Sequence, residues 1–278
     1  MTWHLVADTA CDLYELEGGA DQIDFTTIPF SIRIGDKEYI DDEGMPIPEM
    51  LEANETHAEM AQTACPSPEA WRERFSAPGP VIAFTISSAL SGSYNSACAG
   101  RNMLLEDEPD KEVAVIDTKS TGPEEAMLIW RARDLILEGR AFKEIEKALN
   151  ETAERIHTIF ALSSYHNLIK SGRVSRLIGF IAGHLGFWGI GVGDEKGEIA
   201  IRGKARGSKS MIRFLVEEIR KVGLAGKQIV ISHCQNEKDA LSLKAALEAA
   251  FVGIEVLVQP TRGLDSFYAE RSGLIVGY

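Results

Sequence analysis

Basic residues, cysteines and long apolar runs are all scarce in this 278-residue chain. Lys and Arg number 29 against 42 Asp and Glu, a formal net charge of −13 with a pI near 5.0. Nucleic-acid binding needs a clustered basic footprint to displace counterions, and docking on an anionic membrane needs the same, so the balance argues against both as resting partners. Four cysteines (Cys11, Cys65, Cys98, Cys234) lie far apart without a C-x-x-C pair, and no histidines stand at zinc-ligand spacing. Buried, reduced thiols are expected, with no metal and no cofactor. The longest apolar stretch, Val174 to Trp188, is interrupted by Arg176, His184 and three glycines; it is too short to span a bilayer, so no stable membrane insertion is expected. Met1 leads directly into Trp3-His4-Leu5-Val6 with no basic leader region, which gives a cytoplasmic expectation. Also missing are G-x-S-x-G, S-x-x-K and the phosphate-binding G-x-x-x-x-G-K-[ST].

What is present alternates. Leu5-Val6, Thr26 to Ile32, Val81 to Phe84 and Val113 to Ile116 read as short strands. Ser93 to Leu105 and Pro123 to Leu137 read as helices, the second with proline in its first turn. Strand–helix–strand order of this kind predicts a parallel sheet with helices on both faces. A second α/β set is expected from Thr158: strand Ile159 to Leu162, a helical stretch to Gly172, strand Ile199 to Ile201, helix 208–222, strand Gln228 to Ser232, helix Glu237 to Phe251, strand Glu255 to Val258, and a closing strand Gly273 to Gly277. Gly189-x-Gly191-x-Gly193 leads toward a strand rather than a helix, so it is no dinucleotide fingerprint and reads as a flexible turn. The expected division is 1–157 and 158–278.

Candidate chemistry gathers at strand ends. Thr85 to Asn95 follows a buried strand and opens a helix, where unsatisfied N–H groups, small hydroxyls and Gly92 make a carboxylate pocket or merely a cap. Asp8-Thr9-Ala10 and Asp117 to Gly122 follow two other strands of the same sheet, whose carboxyl ends face ligands in open α/β folds. Val174 to Trp188 reads as a core helix or as the wall of a hydrocarbon tunnel; with a carboxylate pocket it specifies a fatty acid. His184 and His233 read as structural.

Six segments, taken in order, resemble the DegV family of fatty-acid-binding proteins. They are Val6-Ala7-Asp8-Thr9-Ala10-Cys11-Asp12-Leu13, Thr63-Ala64-Cys65-Pro66-Ser67-Pro68, Thr85 to Ala97, Asp117-Thr118 with Ser120 and Gly122, Leu168 to Ser175, and Lys204-Ala205-Arg206-Gly207. The resemblance implies a Rossmann-like N-terminal parallel sheet and a second α/β domain with one long-chain fatty acid buried between them. It implies a bacterial, non-catalytic protein that presents the acid to a separate ATP-dependent fatty acid kinase serving phospholipid synthesis. By position, Thr63 and Ser91 are the expected carboxylate donors, supported by Ser88, Ser93, Thr118 and Ser120. Arg173 and Arg206 are expected on the kinase-facing surface. The family's C-terminal H-x-G-P-G is replaced here by Ala269-Glu270-Arg271-Ser272-Gly273, so Ala269 stands where the family has histidine. Arg271 is the candidate compensating anchor, for a fatty acid or for another small anion. A serine hydrolase or transferase using Ser91 or Ser93 is the remaining alternative.

Overall fold

The computed structural model describes residues 2–19, 21–57, 61–174 and 186–278. In chain order the elements begin with β1 (Trp3–Asp8), a 3-10 turn (Thr9–Cys11), β2 (Ile23–Ile28), β3 (Ser31–Ile34), β4 (Lys37–Ile40), α1 (Ile47–Thr56), β5 (Gln62–Ala64) and α2 (Pro68–Phe75). They continue with β6 (Val81–Thr85), α3 (Ser93–Asp107), β7 (Val113–Asp117), α4 (Pro123–Leu137) and α5 (Phe142–Ala153). Next come β8 (Thr158–Leu162), α6 (His166–Lys170), β9 (Phe187–Gly193), β10 (Ile199–Arg206) and α7 (Ser208–Val222). The last are β11 (Gln228–His233), α8 (Glu237–Ala250), β12 (Glu255–Pro260), α9 (Gly263–Ala269) and β13 (Leu274–Gly277).

A four-stranded sheet of order β2-β1-β6-β7 is parallel throughout. Every residue of β6 is buried, as its unbroken apolar run requires when helices cover both faces. A six-stranded sheet of order β10-β9-β8-β13-β11-β12 is mixed: β11 and β12 are parallel, and the other pairs are antiparallel. β4-β3-β5 form a small antiparallel sheet. Apolar positions recur at helical spacing on α5 (Phe142, Ile145, Leu149, Ala153) and on α7 (Met211, Leu215, Val216, Ile219), and these faces are buried. Cys11 and Cys234 are buried as expected; Cys65 and Cys98 are only half-buried, and all four are free.

Two expectations are corrected. Thr26 to Ile32 is not one strand: the chain breaks at Pro29-Phe30, leaving β2 in the parallel sheet and β3 in the small one. Pro29 has no N–H for a ladder, and the Phe30 N–H goes to Thr9 Oγ1 at 3.1 Å. The Gly189–Gly193 run is no turn but the body of β9. Its glycines admit an aromatic ring: a Cβ on Gly191 would stand 2.6 Å from Phe160 Cε2. The turn comes afterwards, where Asp194 Oδ1 accepts the Lys196 and Glu198 N–H groups at 2.9 Å each. Helices α1, α2, α5 and α9 go beyond the sequence reading. Of the apolar stretch read as a core helix or tunnel wall, residues 175–185, with Arg176 and His184, lie outside the described residues.

The Phe160 contact gives a test. Gly191→Ala overpacks the sheet and is expected to cost about 1–3 kcal/mol in urea unfolding. Gly226→Ala, with nothing within 4 Å of its Cβ position, is expected to stay within about 0.5 kcal/mol of the parent.

Candidate functional site

The carboxyl ends of β6 and β7 face the six-stranded sheet across an apolar cavity. Its walls are Ile86 and Leu90 after β6, Ser120 and Thr121 after β7, Phe160 and Leu162 on β8, Leu168, Ile199, Ile275, and the α9 residues Asp265, Tyr268 and Ala269. The β9–β10 turn closes one side, its Gly197 carbonyl accepting Ser87 Oγ at 2.9 Å.

Polar atoms collect at one end. Arg173 donates from Nη1 to the Tyr268 hydroxyl at 2.6 Å and from Nε to the Leu90 carbonyl at 2.8 Å, with its guanidinium 4.9 Å from the Tyr268 ring centroid. The Tyr268 hydroxyl lies 2.9 Å from Thr63 Oγ1. Arginine only donates, so the Tyr268 oxygen accepts from Arg173 and its own proton is free for Thr63. The hydroxyl proton of Thr63 is then left for a further acceptor. Ser91 and Cys65 adjoin this group: the Cys65 thiol, pushed up by burial, is held partly down by a hydrogen bond with Ser91. The Ser91 hydroxyl also accepts the Ser93 N–H at 3.3 Å.

The other predicted residues are engaged elsewhere. Ser93 is buried and donates to Asp8 Oδ2 at 2.6 Å, so its hydroxyl is committed to a carboxylate rather than poised as a nucleophile. Ser88 donates to Asp117, and Thr118 donates to the Thr85 carbonyl at 2.8 Å. Ser120 lies 2.6 Å from Thr158 Oγ1, which donates to Glu124. His233 accepts the Asn236 N–H on Nδ1, and burial lowers its pKa. Arg271 is on the surface, paired with Glu55 at 2.5 Å and bonded to Gln235, away from the cavity walls. Arg206 is exposed, its guanidinium 5.7 Å from the Phe187 ring centroid. Arg173, expected on the kinase-facing surface, is half-buried and lines the cavity end. Sequence reasoning missed Tyr268, although it directly precedes the Ala269 that stands in the family's histidine position.

It also missed a buried charged cluster beside the cavity. Arg262 is 1% exposed and reaches across the molecule from the start of α9. It donates from Nη1 to the Leu13 carbonyl at 2.5 Å and from Nη2 to the Asp41 carbonyl at 2.9 Å, and lies 4.3 Å from the Tyr14 ring centroid. Asp41 accepts the Gly263 and Leu264 N–H groups at 2.8 and 2.9 Å, so it caps α9 from the other half of the chain. Burial pushes Asp8 and Asp12 up to about 7, against hydrogen bonds from Ser93 to the first and from the Arg262 N–H to the second. Burial and neighbouring carboxylates hold Asp265 and Glu125 well above the ordinary range. Glu124 rises to about 7 by burial, opposed by Thr158 and Ser120. Among the described residues no group of three or more His, Cys, Asp and Glu is arranged to hold a metal ion, and no helix is long and apolar enough to cross a membrane.

With this geometry in hand, comparison with known proteins is informative. A family model described as "uncharacterised protein, DegV family" matches residues 2–262. A DegV domain-containing protein of Streptococcus pneumoniae is 37% identical over 278 residues, covering 100% of this chain and 99% of its own. One from Streptococcus pyogenes serotype M1 is 35% identical with the same coverage. Among solved structures, the Streptococcus pneumoniae Fatty Acid Kinase (Fak) B3 protein loaded with linoleic acid superposes with a TM-score of 0.96 at 37% identity, covering 100% of this chain and 99% of that one. A DegV family protein from Eubacterium eligens loaded with heptadecanoic acid gives 0.94 at 36% identity, covering 99% of each chain.

Removing the Arg262 charge leaves its buried acceptors and Asp41 uncompensated. Arg262→Met is expected to destabilise the fold by about 3–5 kcal/mol in denaturant unfolding.

Proposed function

The chain belongs to the DegV family, and from that premise we propose that it is a non-catalytic protein that buries one long-chain fatty acid. The observation that carries this is the apolar cavity lined at one end by Arg173 and Tyr268, with Thr63 hydrogen-bonded to the Tyr268 hydroxyl. An acyl chain fills the apolar part, lying along Ile86, Leu90, Phe160, Leu162 and Ile275. Its carboxylate takes the outward hydroxyl of Thr63, assisted by Ser91, with Tyr268 and Arg173 behind. The fatty-acid-loaded relatives support this reading, because the same fold encloses an acyl chain in each of them. In the proposed site Ser93, Thr118 and Ser120 shape the loops, and Arg271 has no part. The division at residue 157 assigns the β6 and β7 loops to the first domain and most of the acyl wall to the second.

The proposal extends to hand-over. The name of the pneumococcal relative, a fatty acid kinase B protein, suggests a separate kinase that phosphorylates the bound carboxylate from ATP in the cytoplasm. Exposed Arg206 belongs to the face offered to it.

Protein purified from cells is expected to release a long-chain fatty acid in one-to-one ratio in native mass spectrometry. Empty protein that takes up no added fatty acid would overturn the reading. Arg173→Ala is expected to weaken fatty-acid binding about 10- to 100-fold, the size of a lost charge-assisted hydrogen bond, whereas Arg271→Ala should change it less than about twofold. With a purified fatty acid kinase, Arg206→Ala should lower acyl-phosphate formation while fatty-acid affinity is kept.

A further inference from the structure

The helix that presents Tyr268 is fixed at its other end by an unusual pair. Asp265, one turn earlier on α9, is 3% exposed; its Oδ1 accepts Thr121 Oγ1 at 2.7 Å, and its Oδ2 has no hydrogen-bond partner. Across the junction Asp12 is 4% exposed and sits in left-handed backbone at φ 59. Its Oδ1 accepts the Arg262 N–H at 2.7 Å, its Oδ2 has no partner within hydrogen-bond distance, and the nearby Ser232 hydroxyl lowers its pKa against burial. The two orphan oxygens converge on Gly122: a Cβ there would stand 2.6 Å from Asp265 Oδ2 and 2.9 Å from Asp12 Oδ2.

The surroundings exclude ionising both acids. Arg262, the nearest cation, donates from Nη1 and Nη2 to the Leu13 and Asp41 carbonyls and Thr27 Oγ1, and its Nε faces the Asp41 carboxylate at 3.7 Å. The other titratable groups facing the pair are Asp8 at the end of β1, Tyr14, Asp41 after β4, Glu125 on α4 and Cys234 after β11, and none of them adds positive charge. Two like charges in a buried site force one group to keep its proton.

We propose that Asp12 and Asp265 share one proton across the junction and act as positioning residues, docking α9 so that Tyr268 stands where the ligand carboxylate needs it. The effect on ligand rests on the fatty-acid reading; the shared proton does not. Burial raises both acids, and the Asp12 charge raises Asp265 further, so the last proton the pair holds is the shared one. The folded state keeps it where the unfolded chain has already given it up in the ordinary carboxylate range. Stability contributed by the pair therefore falls as pH rises from that range upward, until the shared proton has left. Loss of the proton sets the two carboxylates against each other and loosens α9.

Two measurements on the full chain test this: the thermal midpoint without ligand, and the release rate of preloaded cis-parinaric acid, each from pH 6 to pH 9. In the wild type the midpoint is expected to fall and release to accelerate about tenfold or more. Asp265→Asn supplies a permanent donor to Asp12 and should make both profiles shallower than the wild type's, the remaining fall coming from Asp8, Glu124 and Glu125. Profiles in Asp265→Asn as steep as the wild type's would overturn the proposal. Should that variant fail to fold, Asp12→Asn puts the permanent donor on the opposite side and is read the same way. If the wild type takes up no parinaric acid, the fatty-acid reading falls, and the midpoint profiles alone decide the shared proton.

Discussion

Burying a guanidinium costs several kcal/mol unless its donors are met, and the way Arg262 is met dictates how the two sheets join. Its acceptors, Leu13, Thr27 and Asp41, all come from the first forty-odd residues of the chain, while Arg262 itself opens α9 beyond β12. The turn after β1, the end of β2 and the end of β4 must therefore be in place before α9 can seat. Once it has seated, Asp41 satisfies two N–H groups at the helix start, and the remaining turns can only run along the cavity. Tyr268 is thus positioned by contacts made two turns away, and Thr63 and Arg173 meet a hydroxyl whose place is already set.

The loops at the carboxyl ends of the parallel strands are rich in hydroxyls, yet the cavity they border is apolar. Internal satisfaction resolves this. Ser93 spends its proton on Asp8, Thr118 on the Thr85 carbonyl, and Ser120 and Thr158 share hydrogen bonds with Glu124. Each donor is turned into the protein, so methyl and methylene groups are left facing the cavity. A fold that usually binds polar ligands at this crevice can then offer an acyl chain a wall whose hydroxyls are already satisfied.

Much of this was legible beforehand. β6, β7 and β8 are short apolar runs bounded by turn residues, and α4 and α7 carry clear start and stop signals, so local pattern and tertiary structure agree. The six ordered motifs pointed to Thr63, whose hydroxyl lies 2.9 Å from that of Tyr268, and to Ser91, which is hydrogen-bonded with Cys65. The glycines of β9 were misread because, taken alone, they break strands; only Phe160 lying across them explains their use. Tyr268 and Arg262 were invisible for a related reason. Each acts through partners 80 or more residues away in sequence, Tyr268 through Thr63 and Arg173, Arg262 through Leu13, Thr27 and Asp41. No local spacing announces such a contact.

Replacement of the family's histidine by Ala269 changes how positive charge reaches the ligand. A guanidinium bonded directly to a carboxylate makes a short, bidentate pair that occupies both oxygens. Here Arg173 donates to Tyr268 and Tyr268 to Thr63, so the hydrogen bonds run one way and each strengthens the next. In the proposed complex the ligand meets a polarised but neutral hydroxyl, and one carboxylate oxygen stays open. An acid held in this manner is bound firmly enough to stay buried and remains nucleophilic enough to accept a phosphoryl group. The same arrangement suits the proposed anionic cargo: the half-buried Arg173, insulated by two hydroxyls, attracts the headgroup without becoming an ion pair that must be broken for the reaction to proceed.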